Sequence, residues 1–274
     1  MNAVLTIAAK EFRDGLRNRW VVAATLLLAG LALALAFLGS APTGAVGASP
    51  LAVTVVSLAS LSIFLIPLIA LMLAFDALVG EIERGTMMLL LSYPVARWQV
   101  LVGKFLGHGA LLALAILLGY GLAGAVIRGA GGHTGDWFAY AAMVGTSILL
   151  GAVFLALGYL ASAVVHERAT AAGLAVGLWL LFVLLFDLVL LGALVATGGE
   201  GLSAGMVGGL LLLNPTDAYR LFNLAGLAEV RQFSGLAGIA DQIALSPGAA
   251  IGALLAWIAV PLALAGILFS RRSI

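Results

Sequence analysis

Gly80-Glu-Ile-Glu-Arg-Gly-Thr86, continued by Leu91-Ser-Tyr-Pro-Val-Ala-Arg97 and Gly103-Lys104, is the one dense polar stretch in this 274-residue chain. Apolar runs flank it, Val53 to Phe75 before and Phe105 to Ile127 after. Each run has the roughly 20 apolar residues that crossing a bilayer requires. A charged segment between two spans is where another protein can take hold. The rest of the chain fits the same reading. It is 64% hydrophobic and 9% charged, where a soluble domain carries about 25% charged residues. Its mean hydropathy is +1.20. The expected fold is therefore an all-α integral membrane protein, a single transmembrane domain over residues 1–274.

Working outward, the length rule gives four more spans: Trp20 to Leu38, Trp137 to Val164, Ala171 to Ala196 and Ala249 to Ser270. Six spans place both termini on one side. Lys10, Arg13, Arg17, Arg19, Arg84, Arg97, Lys104, Arg168, Arg271 and Arg272 fall on that side, and Arg128, Arg220 and Arg231 on the other. By the positive-inside rule the termini are cytoplasmic. Gly39-Ser-Ala-Pro follows the first run, but that run exceeds the 7 to 15 residues of a signal core, so a retained span is expected.

Residues 1–18 should form an interfacial helix. Val4, Leu5, Ala8, Ala9, Phe12 and Leu16 repeat at helical spacing, and Lys10, Arg13, Asp14 and Arg17 take the other face. In the region 76–104, Glu81, Glu83 and Arg84 favour a short surface helix whose polar face is open to a partner. Gly85 is available to end or bend it, Pro94 breaks the chain, and Arg97 with Lys104 marks the return to the membrane. The connection 197–248 is long, broken by Gly198, Gly199, Gly201, Pro215, Gly235 and Pro247. Within it, Leu210 to Phe222 mixes apolar and polar groups like short amphipathic helices, one of them capped by Asn214 or Thr216. A structured outer loop suits a lid, a docking surface or a cap on span ends.

The chain has no Gly-x-x-x-x-Gly-Lys-Ser/Thr loop to cradle ATP phosphates, and neither His-Glu-x-x-His nor Gly-x-Ser-x-Gly. It contains no cysteine. The chain is therefore read as a non-enzyme that binds no cofactor, and no nucleic-acid partner is expected. His166-Glu167-Arg168 reads as a hydrated turn between spans four and five, and His108 as a packed imidazole.

The ordered set Asp76, Glu81-x-Glu83-x-Gly85-Thr86, Leu91-Ser-x-Pro94-Val-x-Arg97 and Gly103-Lys104 resembles the region between the second and third spans of ABC-2 type permeases. The six-span layout, the interfacial helix and the outer loop before the last span extend the resemblance over the whole chain. It implies that the polar stretch carries a coupling helix, with Glu81, Glu83, Arg84, Gly85 and Thr86 facing a separate cytoplasmic ATPase that holds ATP and Mg. It also implies a second permease copy. Phrases such as Trp179-Leu-Leu-Phe-Val-Leu-Leu-Phe-Asp187 and Asn214-Pro-Thr-Asp-Ala-Tyr-Arg-Leu-Phe222 look like the subgroup that supports nitrous oxide reductase maturation. That likeness implies a bacterial inner-membrane location and a role in assembling a copper-sulfur centre. It further implies a periplasmic accessory protein, docked at Asn214, Pro215, Asp217, Tyr219 and Arg220.

Asp187 lies within the fifth run, about 24 Å along a helix from Ala171 at about 1.5 Å per residue. A carboxylate at mid-membrane costs about 2.5 to 3.5 kcal/mol on insertion scales, so it should face the interior, pair with a cation or carry a proton. Arg128 is one candidate partner. Asp187 reads equally as a pathway group or as a structural bridge, and Asp76 as an anchor for the coupling element or a solvated charge. Met72, Met87, Met88, Met143 and Met206 are scattered, which disfavours a copper conduit. Sulfur in a carrier form, or mechanical transmission with no solute, fits better. Gly103/Gly107, Gly173/Gly177 and Gly248/Gly252 allow close helix approach within the chain, or at a dimer seam for the second pair. The alternatives left open are an ABC-2 exporter of another small solute and an ion-coupled carrier titrating Asp187.

Overall fold

The computed structural model describes residues 3–39, 50–129, 137–196, 204–225 and 246–272. Ser40 to Pro42, Gly198, Gly199, Gly201, Arg231 and Gly235 lie outside the described residues. Those described form an all-α integral membrane protein, with six helices long and apolar enough to span a bilayer. The spans are α2 (Arg19–Gly39), α3 (Pro50–Ala74), α6 (Arg97–Gly129), α7 (Trp137–Val164), the continuous run of α8 (Arg168–Leu180) and α9 (Phe186–Ala196), and α12 (Pro247–Arg271). Five shorter helices are found among the described residues: α1 (Ala3–Leu16), α4 (Val79–Glu83), α5 (Thr86–Leu91), α10 (Ala204–Leu212) and α11 (Pro215–Ala225). Helix α1 and the C-terminal turn of α12 both lie by the start of α6, at the end of the bundle called basal here. There Arg97 donates to the carbonyls of Phe269 (2.8 Å), Ser270 and Arg272, capping the last turn of α12.

Helix α7 is the centre, packed against α3, α6, α11 and α12, while α2 lies along α6. Leu58, Ile66, Tyr120, Phe154 and Tyr159 are fully enclosed there. By contrast α8 and α9 leave most of their apolar side chains uncovered. Among the described residues no atom lies within 4 Å of where a Cβ on Gly173, Gly177 or Gly252 would sit, so these glycines show no close packing there. Gly103 and Gly107 do.

Helix α1 has three faces rather than two. Val4, Ile7, Glu11 and Gly15 are buried against α6. Leu5 and Leu16, read as part of the apolar face of an interfacial helix, are exposed. Lys10, Arg13, Asp14 and Arg17 form the exposed polar face. Close approach explains the selection: a Cβ on Gly107 would sit 2.7 Å from the Ala8 carbonyl oxygen, and one on Gly103 would sit 2.8 Å from Ile7 Cβ. Gly107→Ala should therefore push α1 off α6 at an overpacking cost of about 1–3 kcal/mol. Thermal melting together with protease cleavage ahead of Arg19 measures it, and an unchanged melt would contradict this packing.

The third span begins at Arg97, not at Phe105. Lys104 is thereby not a boundary residue but a member of α6, 2% exposed, and the reading of it as the return point is corrected.

Candidate functional site

The polar stretch folds into two helices of different character. Helix α4 starts just after the second span and has no cap from its own side chains. Ser162 of α7 supplies one, its Oγ accepting from the backbone N–H groups of Leu78 (3.1 Å) and Val79 (3.0 Å). Glu81 on α4 accepts from Lys104 Nζ at 2.7 Å, and the same ammonium donates to Glu11 of α1 at 2.8 Å. Glu83 accepts from the backbone N–H of Arg168 at 2.6 Å, placing a carboxylate on the N-terminus of α8, where its charge favours the helix dipole. The Arg168 guanidinium pairs with Asp76 at 3.1 Å and lies over the Phe75 ring. Four helices, α1, α6, α7 and α8, are thus tied to one five-residue element.

Gly85 adopts φ +71°, a left-handed conformation that a side chain disfavours, and turns the chain from α4 into α5. Thr86 Oγ1 donates to the Glu81 carbonyl across that turn. Helix α5 is anchored by buried Met87, but Met88 and Leu89 point outward, Leu89 being 69% exposed. Tyr93, just past the helix, is 67% exposed. Pro94 ends the segment before α6 begins. Uncovered large apolar groups at the tip of a charged loop suit a protein contact.

The charged joint continues inward. His108 Nε2 lies 3.5 Å from Glu11, and its Nδ1 is 2.8 Å from the Tyr159 hydroxyl. Burial alone would raise the pKa of Glu11, but His108 and the Lys104 ammonium outweigh it and hold the carboxyl well below its usual range. The stabilisation this provides is complete above the ordinary value of 4.5 and is lost as pH falls below it.

At the other end of the bundle the fifth span is interrupted. Leu181–Leu185 forms a π-helical turn, a rare feature that frees backbone groups from the helical ladder. The Phe182 carbonyl accepts from Asn214 Nδ2 (3.0 Å) and Thr216 Oγ1 (2.9 Å). Asn214 also caps α11, its Oδ1 accepting from Thr216 N at 3.1 Å, as one of the two capping readings had it. Arg220 then donates to Asp187 of α9 (3.0 Å) and to Asp217 (2.7 Å). Further in, hydroxyls join α11 to the bundle. Tyr219 meets Ser147 at 2.9 Å, Ser62 meets Tyr120 at 2.6 Å, and Asn223 donates to Thr146 at 3.1 Å.

Burial pushes Asp217 up to about 7; Arg220 opposes the rise and the neighbouring Asp187 adds to it. The native chain therefore holds a proton here that the unfolded chain releases near 3.8. With more protons bound when folded, stability from this cluster falls as pH rises from about 4 to about 7. The melting temperature should decline across that window, and Asp217→Asn should flatten the decline; an unaltered slope in that variant would refute the assignment.

Several sequence expectations need correction. Glu81 does not present its carboxylate to a partner, because Lys104 occupies it, and Glu83 is used at the start of α8. Arg84 and Thr86 are exposed, and Gly85 is the turn. Arg220, not Arg128, pairs with Asp187. Asn214, Pro215, Asp217 and Tyr219 are buried, so they are not an outer docking face, and Arg220 is half-buried beside them. His166-Glu167-Arg168 is not merely a hydrated turn, since Arg168 clasps α4. Asp76 does help anchor the polar stretch, through Arg168. Glu11 and the apolar tip of α5 went unread in the sequence; the only signals were an acid on the packed side of α1 and a Met-Met-Leu run beside the charges.

Six helices long and apolar enough to cross a membrane, with a charged joint where α1, α4, α6 and α8 meet, fit a multi-pass membrane protein. The chain belongs to the ABC-2 family of transporter proteins, whose profile matches residues 5–274. It is 50% identical over 275 residues to the probable ABC transporter permease protein NosY of Stutzerimonas stutzeri, covering 99% of each chain. It is also 50% identical over 286 residues to the probable ABC transporter permease protein NosY of Pseudomonas aeruginosa strain PAO1, covering all of both. It is thus an ABC transporter permease, and the ion-coupled carrier alternative is set aside.

Proposed function

We propose that this permease passes the work of a separate cytoplasmic ATPase across the inner membrane of a bacterium, from a basal end lying in the cytoplasm. The observation that carries the reading is the contrast between α4 and α5. Helix α5 offers Met88, Leu89 and Tyr93 to a partner, while α4, one turn away, is tied to four other helices. A push on α5 reaches α1, α6, α7 and α8 together. ATP and Mg belong to the ATPase, and this chain supplies no catalytic group. A second copy completes the assembly, in keeping with the uncovered faces of α8 and α9.

The destination of that work is maturation of the copper-sulfur centre of nitrous oxide reductase, in line with the NosY relatives. A sulfur species is the cargo, or the motion itself is transmitted to a periplasmic accessory protein. The buried place of Asn214, Asp217 and Tyr219 moves any outer contact of that protein away from them. Deleting the chain from a host that makes nitrous oxide reductase should leave the secreted enzyme without its copper-sulfur centre, assayed by copper and sulfide content. A complete centre in the deletion strain would sink the maturation role.

A further inference from the structure

A cavity of about 510 Å³ opens at the basal end between α1, α2, the end of α3, α4, α6 and the start of α8. Its wall divides by chemistry. Val21, Met72, Leu73 and Phe75 make one side apolar and continue down into the spans. The other side is charged, with four carboxylates and three cations on the lining and Lys10 just beside it, 3.0 Å from Glu11, 3.4 Å from Asp14 and 3.9 Å from Glu81. Trp20, the first aromatic of α2, stands at the rim, the usual level of an interfacial anchor. An apolar wall running into the bilayer and a charged floor at headgroup depth match a phospholipid better than a soluble metabolite.

The charges narrow the headgroup. Arg84 is exposed, and no ion pair to it is found among the described residues; its guanidinium lies over Gly80, where a Cβ would come within 3.4 Å of both terminal nitrogens. A guanidinium at such a rim binds phosphate through paired N–H groups. Asp14, 3.4 Å from Lys10, is exposed, and Asp76, paired with Arg168 at 3.1 Å, is half-buried; each carboxylate keeps further lone pairs as acceptors for an ammonium. A quaternary ammonium has no N–H to donate to these carboxylates, whereas a primary ammonium has three.

We propose that the cavity holds the headgroup of an aminophospholipid, its phosphate on Arg84 and its primary ammonium on Asp14 and Asp76. The proposal stands whether or not α5 docks an ATPase. Bound there, the lipid would bridge α1, α3 and α4 beside the charged joint. Native mass spectrometry of the purified full chain, titrated with phosphatidylethanolamine, phosphatidylcholine and phosphatidylglycerol of identical acyl chains, tests it. Retention of phosphatidylethanolamine should exceed the other two by about tenfold, and Arg84→Ala should remove the preference. Because Arg84 is exposed, the variant should melt as the unaltered chain does. Asp14→Asn should weaken phosphatidylethanolamine alone. Equal retention of the three lipids, or a preference that survives Arg84→Ala, would overturn the proposal. Displacement of the lipid by free phosphoethanolamine at comparable concentration would also overturn it, in favour of a soluble amino-phosphate.

Discussion

Lys104→Met should destabilise the permease by about 3 to 5 kcal/mol, the cost of leaving buried charge without its partner. Lys104 is 2% exposed and holds Glu11 and Glu81 at 2.8 and 2.7 Å, so methionine fills the volume but strands two carboxylates. Lys10 compensates in part, since it lies 3.0 Å from Glu11 but 3.9 Å from Glu81 and is itself largely exposed. The effect should show as a lower melting temperature and as new protease cleavage near α4. Adding Glu11→Gln and Glu81→Gln should recover much of the loss, because neutral partners no longer demand a cation. Recovery of stability without recovery of ATP-coupled function would separate the mechanical role of the joint from its folding role. A single variant that melts like the unaltered chain would mean that water or another group already neutralises the cluster.

Leu89→Glu should do the opposite: leave stability within about 0.5 kcal/mol, as exposed substitutions generally do, while weakening ATPase binding roughly thirtyfold. That figure corresponds to about 2 kcal/mol, the loss typical of a central apolar contact. Leu89 is the most exposed large apolar side chain on α5, and Met88 beside it belongs to the same apolar tip. Glu83→Lys, by comparison, should disturb α8 first, because its carboxylate sits on the Arg168 N–H. Affinity of the co-expressed ATPase for the detergent-solubilised permease measures both. An unchanged affinity for Leu89→Glu would move the docking surface elsewhere on the basal end.

Length and hydropathy made the six spans legible, because each needed only an unbroken apolar run; Trp137–Val164 agrees to the residue. The turn at Gly85 and the break at Pro94 were legible for a local reason, since backbone conformation there depends on one residue type. What escaped was pairing between distant segments. Nothing in the neighbourhood of Glu81 announces Lys104, which lies two turns inside the next helix, or Glu11 at the far end of the chain. A charge in a loop reads as solvated until its partner is known. The same limit sent Asp187 to Arg128 on depth alone, when a residue of the outer helix, Arg220, reaches it. The π-helical turn at Leu181–Leu185 was hidden by an ordinary apolar composition, and only the Asn214 and Thr216 contacts to Phe182 explain it. Burial of Asn214 and Asp217 was unreadable for the opposite reason: polar residues in a loop look exposed, yet here Asn214 satisfies the Phe182 carbonyl and Asp217 accepts from Asn214 and Arg220 inside the protein.

The central claim is that α5 receives the ATPase while α4 distributes its motion. A photo-crosslinking residue placed at Leu89 in the intact membrane, with the ATPase co-expressed, tests that claim most directly. The account predicts an adduct with the ATPase whose yield changes on adding ATP, and none from the same probe at the exposed Phe138 near the opposite end. Absence of the adduct at Leu89, with one formed instead from the α8 or α12 basal ends, would contradict it.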